Sequence, residues 1–209
     1  MTRGRFISLE GGEGAGKSTQ ARRLAAALDA RGLRTLVTRE PGGSEGAEAI
    51  RHLLMQGAVN RWSPHTEALL FAAARADHVE KTINPALGAG IWVIADRFID
   101  SSRAYQGVAG GIDDAAIMAL HGFGARGLLP DRTFVLEVAP DEGAARATGR
   151  DGAAADRFAA RDGGFHDAVA AAFRDFAERE PDRVRLIAAS GSVDAVTQAL
   201  LAGLGDLLP

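Results

Sequence analysis

Gly11, Gly12, Glu13, Gly14, Ala15, Gly16, Lys17, Ser18 and Thr19 form the stretch of this chain whose residue types and spacing by themselves specify a chemistry. They match G-x-x-x-x-G-K-[S/T], with Gly11, Gly16, Lys17 and Ser18 at the fixed positions. Glycines let the backbone curl so that successive N–H groups face one concavity, where they hold phosphate oxygens. A helix beginning at the end of the loop adds its unpaired N–H groups and the positive end of its dipole. Lys17 then reaches the β- and γ-phosphates and the Ser18 hydroxyl helps hold Mg²⁺. The alternative is a glycine-rich turn with a chance Lys-Ser, and composition argues against it. Lys17 and Lys81 are the only lysines among 24 basic residues, so a chain that otherwise uses arginine keeps an ammonium where a phosphate loop needs one.

Other residues are candidates to sense or receive the γ-phosphate. Asp96 closes an apolar run, the usual way such a chain brings a carboxylate to the Mg²⁺ and its waters; the alternative is a helix cap or a partner for Arg97. Arg97 offers a guanidinium fork to a second phosphate. Arg39 either contacts an acceptor phosphate or pairs with Glu40. Phe71, Arg75 and His78 share one helical face at i, i+4 and i+7. Phe71 is either core or a platform for a base whose edge Arg75 would bond. Ser102 and Tyr105 follow Asp96-Arg97 at i, i+3 spacing, and Tyr105 is the only tyrosine. Arg146, Arg150, Arg157 and Arg161 form a charge run in a stretch without periodicity. It reads as a solvated loop or as a lid that carries arginines to the transferring group.

These residues need a scaffold that brings distant segments together, and the pattern supplies one. Short β-rich runs at Phe6–Leu9, Thr35–Thr38, Ile91–Ala95, Thr133–Val138 and Val184–Ala188 alternate with helical patterns. Gly32 stops the first helix and Pro41-Gly42-Gly43 marks a loop. Ser63-Pro64 opens a long helix to about Leu87, bent or broken near Asn84-Pro85, and Pro140 opens another to about Thr148. The last helix is expected over Val193–Leu208. The predicted fold is α/β: a three-layer αβα P-loop fold with a five-stranded parallel sheet, helices on both faces and a small lid over about 146–163. Right-handed crossovers place ligands at the C-terminal strand ends, where the candidates cluster.

At 209 residues the chain is expected to be one domain with a substantial core. A net charge of −3 and a pI near 6.0 argue against a nucleic-acid surface. Absence of cysteine rules out disulfides and thiol chemistry, and the five histidines show no ligand spacing. No apolar run is long enough for a signal core or a membrane span, so a cytoplasmic location is expected.

Taken together, residues 12–19, Thr-Arg-Glu-Pro-Gly-Gly at 38–43, Phe-Ala-Ala-Ala-Arg at 71–75, Asp-Arg-Phe at 96–98 and Ser-Ser-Arg-Ala-Tyr-Gln-Gly at 101–107 resemble the bacterial thymidylate kinases over nearly the whole chain. The resemblance implies phosphorylation of dTMP to dTDP by ATP and Mg²⁺, in a homodimer. By position, it implies that Phe71 stacks on thymine and Arg75 meets the base edge. Ser102 would bond the base, with Gln106 beside Tyr105 in the same substrate-binding segment. Tyr105 would pack under the sugar, Glu13 would lie near the 3′-OH, and Arg97 and Arg39 would border the acceptor phosphate. Gly14 leaves the loop without an arginine, so the resemblance implies catalytic arginines in the lid, Arg150 and Arg157. The other readings are a kinase for a different nucleotide or nucleoside, and a regulatory P-loop ATPase, separable by the acceptor that is phosphorylated.

Overall fold

The computed structural model describes residues 2–139, 142, 143, 146, 158 and 161–209. Five strands, β1 (Phe6–Glu10), β2 (Thr35–Arg39), β3 (Trp92–Asp96), β4 (Arg132–Glu137) and β5 (Val184–Ala188), form one sheet in the order β2-β3-β1-β4-β5. Every pairing is parallel, with Leu9 opposite Asp96 and Phe134 on its two sides. β1 is central and wholly buried, which is why it reads as an apolar run rather than an alternating one.

Helices cover both faces, and the period of two along the strands sorts the core. Ile7, Leu9, Ile94 and Phe134 meet α1 (Lys17–Asp29) and α8 (Val193–Ala202) through Leu24, Leu28, Val196 and Leu200. Phe6, Val93 and Ala95 face the other way. They pack on α3 (Pro64–His78), a π-helical turn over Val79–Ile83, α4 (Asn84–Gly88), α5 (Ile99–Ser102) and α6 (Asp114–Ala125). α2 (Glu45–Met55) lies on α3, and α7 (Gly163–Arg179) buries Val169, Phe173 and Phe176 against Val135 and Val184.

Three departures from the sequence pattern have local causes. The long helix does not break at Asn84-Pro85. It widens by a π turn in which the Asn84 N–H bonds to Val79, so the proline is accommodated one residue later. A second π turn, Arg103–Val108, follows α5 and carries Tyr105 and Gln106. The final helix ends at Ala202 rather than Leu208, as the N–H groups of Leu204 and Gly205 turn to carbonyls three residues back, and Gly203 packs so close to Phe134 that a Cβ there would stand 2.5 Å from the ring. The helix expected from Pro140 lies mostly outside the described residues.

Two buried polar groups tie the layers. Asp100 on α5 accepts from Thr133 on β4 at 2.9 Å and from both Arg183 nitrogens at 2.7 and 2.8 Å. Burial alone would raise its carboxyl, but Arg183 and Arg103 hold it below the ordinary range. His121 on α6 is 2% exposed, with Nε2 2.7 Å from the Leu128 carbonyl and its ring edge-on to Phe98. Burial, then the Arg75 charge, pushes its pKa from 6.5 down to about 4. The folded state therefore rejects a proton that the unfolded chain accepts. The stability His121 contributes is complete above pH 6.5 and is lost as pH falls toward 4, by at most about 3 kcal/mol. Urea unfolding at pH 7.5 and 5 should show this decline in the wild type and a smaller one in His121→Gln; equal declines would remove His121 from the acid limb.

Candidate active site

The C-terminal end of β1 runs straight into the phosphate loop. Gly11 adopts φ 131° and passes so near β4 that a Cβ would lie 2.5 Å from the Leu136 carbonyl. Gly16, at φ 86°, turns the chain into α1. Lys17 folds back over the loop, donating to the carbonyls of Gly11 at 3.1 Å and Gly12 at 2.6 Å. Burial, reinforced by the Arg97 charge, pushes its pKa down to about 8. Ser18 Oγ donates to Asp96 Oδ2 across the β1–β3 pairing. Thr19 is exposed on α1 outside the cavity.

Asp96 ends β3, and Arg97 follows at φ 72°, a left-handed conformation that costs a side-chain-bearing residue roughly 1 kcal/mol or more. The surroundings dictate it. Arg97 N–H bonds to the Leu9 carbonyl at 3.0 Å and Phe98 N–H to Glu10 Oε1 at 2.8 Å. The Glu10 carboxyl also meets Ser101 Oγ at 2.5 Å. The Arg97 guanidinium, thus aimed, contacts Ser101 Oγ at 3.1 Å, the Gly11 carbonyl at 3.2 Å and Glu13 Oε1 at 2.7 Å, and lies 5.1 Å from the Tyr105 ring centre. Burial, with the nearby Asp100 charge, pushes the Glu10 pKa from 4.5 up to about 8.

Behind this turn a second carboxylate organises the far side. Glu40, in the loop after β2, accepts from Arg75 Nε at 2.7 Å, and its Oε1 lies 3.0 Å from His78 Nδ1. Arg75 also donates to Ser102 Oγ at 2.8 Å and to the Phe98 carbonyl at 3.3 Å. Arg39 does not pair with its neighbour Glu40. It reaches Glu48 on α2, at 3.0 Å to each oxygen, because Glu40 points inward to α3.

Most of these groups line one cavity of ≈ 370 Å³, whereas Glu10, Thr19, Glu48 and His78 do not. Glu13, Gly14, Gly16, Lys17 and Ser18 line one end, and Phe71, Arg75, Ser102, Tyr105 and Gln106 the other, with Asp96, Arg97 and Arg39 between. Phe71 is therefore a cavity wall rather than sealed core. The arginine run divides. Arg146 bonds the Ala189 carbonyl and pairs with Glu142, and Arg161 pairs with Glu67; neither lines the cavity. Arg150 and Arg157 lie outside the described residues.

Sequence pattern overlooked Glu10, Glu40, Arg51 and Phe158. Arg51 and Phe158 line the cavity, and Arg51 donates to the Pro41 carbonyl at 2.8 Å. Glu10 left one signal, an acid ending an otherwise apolar strand.

A cavity that starts at a P-loop and ends among aromatic and guanidinium groups, with Arg97 among its lining, suits transfer of a phosphoryl group to a second small molecule. The chain is in that sense a P-loop nucleotide kinase. Comparison with known proteins narrows the class. The family model for thymidylate kinase matches residues 9–200. The thymidylate kinase of Rhizorhabdus wittichii is 59% identical over 206 residues, covering 99% of each chain. That of Caulobacter vibrioides is 52% identical over 200 residues, covering 96% of this chain and 95% of its own. The crystal structure of thymidylate kinase from Ehrlichia chaffeensis superimposes with a TM-score of 0.76 at 32% identity, covering 97% of this chain and 99% of that one. The chain belongs to the thymidylate kinase family, and its reaction is the phosphorylation of dTMP to dTDP by ATP.

Glu10 should be separable from the groups it holds. Glu10→Gln keeps an acceptor for Phe98 N–H, whereas Glu10→Ala does not. We expect the alanine variant to lose about tenfold or more in kcat/KM for dTMP at pH 7 and the glutamine variant to stay within about threefold. Because the folded carboxyl titrates above its ordinary value, its contribution to stability is complete below pH 4.5 and is lost as pH rises through 8. Urea unfolding at pH 6 and 9 should therefore show a smaller decline for Glu10→Gln than for wild type.

Proposed function

We propose that the transfer from ATP to dTMP takes place in line within the single cavity, with the donor on the Lys17 loop and the acceptor along Phe71, Arg75 and Tyr105. The observation that carries this reading is that both sets of residues line the same space, with Arg97 between them. Phe71 offers a face to the base, Arg75 and Ser102 offer donors to its edge, and Gln106 borders the same end. Tyr105 lies beneath the sugar, near Glu13. Arg97 and Arg39 grip the acceptor phosphate. That phosphate is already ionised at neutral pH, so no general base is required, and catalysis consists of alignment and charge neutralisation. We assign the arginines that close on the transferring group to Arg150 and Arg157.

The metal in this reading is Mg²⁺. Its residues fit: Ser18 and Asp96 are hard oxygen donors in direct contact at the loop. Bound there, Mg²⁺ would neutralise charge on the β- and γ-phosphates. We read the chain as one cytoplasmic domain acting on free nucleotides, since a net charge of −3 offers no basic surface to a polyanion. Among the described residues no helix is long and apolar enough to cross a membrane.

We further propose a homodimer through α2, α3 and α6. Phe123 is 93% exposed on α6 and Leu69 is 55% exposed on α3, and α3 packs against both α2 and α6. An exposed phenylalanine beside further exposed aliphatics is costly unless covered. Phe123→Asp should shift the mass measured by light scattering from dimer to monomer; an unchanged dimer would move the interface elsewhere.

The transfer reading is tested in a coupled ADP-release assay with dTMP. Lys17→Ala and Arg97→Ala should each lower kcat/KM by about 10²-fold or more, since each removes charge at the transferring group. Near-wild-type turnover in either would overturn the assigned roles.

A further inference from the structure

We infer that Arg161, anchored on the buried Glu67, holds the Phe158 ring over the base end of the acceptor cavity, which makes Arg161 and Glu67 positioning residues for dTMP. The inference rests on the reading that the Phe71 and Tyr105 end of the cavity holds the base.

Glu67, Phe71 and Arg75 succeed one another at i, i+4 and i+8 on α3, so the helix face that presents the base platform carries a carboxylate one turn earlier. That carboxylate is 2% exposed. It accepts from Gln106 Nε2 at 2.9 Å, and Gln106 itself lines the cavity beside Tyr105. Arg161 NH2 also lies 3.2 Å from its Oε2 and 3.4 Å from its Oε1. A buried carboxylate that accepts from both an amide and a guanidinium is a directional anchor, because each bond fixes the orientation of the group that makes it.

What Arg161 brings with it gives the anchor a purpose. Its backbone N–H closes a turn on the Phe158 carbonyl at 3.2 Å. Its guanidinium lies 4.5 Å from the Phe165 ring centre and 5.7 Å from that of Phe158. Phe158 is 6% exposed, and its ring stands edge-on to Phe71 at 5.7 Å and to Tyr105 at 6.4 Å. The residue that follows Arg161 is the N-cap of α7, so the turn is fixed at its root as well. Phe158 thus completes a three-ring enclosure with Phe71 and Tyr105. Its place in that enclosure is set by a charge pair that touches none of the reacting atoms. An aromatic wall held in this way dries the base site before the base arrives and loses nothing to reordering when it binds.

A positioning role predicts a change confined to one substrate. In assays that vary dTMP and ATP separately, Arg161→Met and Glu67→Gln should each raise KM for dTMP about five- to tenfold. KM for ATP should stay within about twofold, even though breaking the buried pair lowers the melting temperature. The double variant should be no worse than the more affected single one, because both remove the same link. Arg161→Lys keeps the charge without the planar fork and should fall between Met and wild type. Phe71→Ala serves as the reference. If it raises KM for dTMP while Arg161→Met does not, this inference fails alone. If neither does, the assignment of the base site fails with it. Equal rises in both KM values would show a structural role only and overturn the proposal.

Discussion

The site depends on a carboxyl group that never meets a phosphate. Glu10 ends the central strand and joins it to the turn after β3, through Phe98 N–H and the Ser101 hydroxyl. Everything between donor and acceptor hangs on that joint. The phosphate loop starts at the next residue, Arg97 is strained into its left-handed conformation within the turn, and α5 and the π turn with Tyr105 and Gln106 begin just beyond. A parallel sheet brings β1 and β3 side by side but leaves the direction of the chain leaving them undetermined. Glu10 supplies that direction.

The same device recurs. Glu40 in the loop after β2 holds Arg75 and His78 on α3. Glu67 on α3 holds Gln106 and Arg161. Asp100 on α5 holds Thr133, Arg103 and Arg183. In each case a buried acid on one element fixes groups from others, usually an arginine. The arginine-rich composition suits this work, since a planar fork can satisfy a carboxylate and a carbonyl or hydroxyl at once, as Arg75 does. Such pairs add little to stability relative to an apolar core. Breaking one side of a pair is expensive, about 3–5 kcal/mol, which makes the arrangement specific rather than strong.

That distinction explains what the sequence discloses. The sheet, its five strands and the phosphate loop were legible because each rests on local periodicity or on spacing within a few residues. The family was legible because several short motifs occur in order. Asp96 and Arg97 could be found because they close an apolar strand. Glu40 could not, since its role arises only where the loop after β2 meets α3, nor could Glu67 and Phe158, whose roles arise where α3, the π turn and the root of α7 meet. The two π turns were likewise invisible, because the extra residue per turn is a response to Pro85 in one case and to packing against α7 in the other. Arg39 shows the limit most simply. Pattern left it either an acceptor phosphate or its neighbour Glu40, but the Glu40 side chain is turned inward to α3, and Arg39 reaches across the loop to Glu48.

The electrostatics then follow from the frame. Lys17 and Arg97 are crowded together at the head of the cavity, and both lie in surroundings that burial makes poor in water. The lysine responds by titrating near 8 and bonding loop carbonyls, while the arginine is held by Glu13 and the loop. Only the lysine is held against its charge: an arriving anion raises its affinity for its proton, whereas Arg97 already has Glu13 and other nearby acids on its side. The groups that would stabilise the transferring phosphoryl are oriented beforehand and need not reorganise as charge moves. Glu13 is the exception that the frame permits. It sits within the phosphate loop yet faces the acceptor side through Arg97, so the two ends of the cavity share a hydrogen bond before either nucleotide is present.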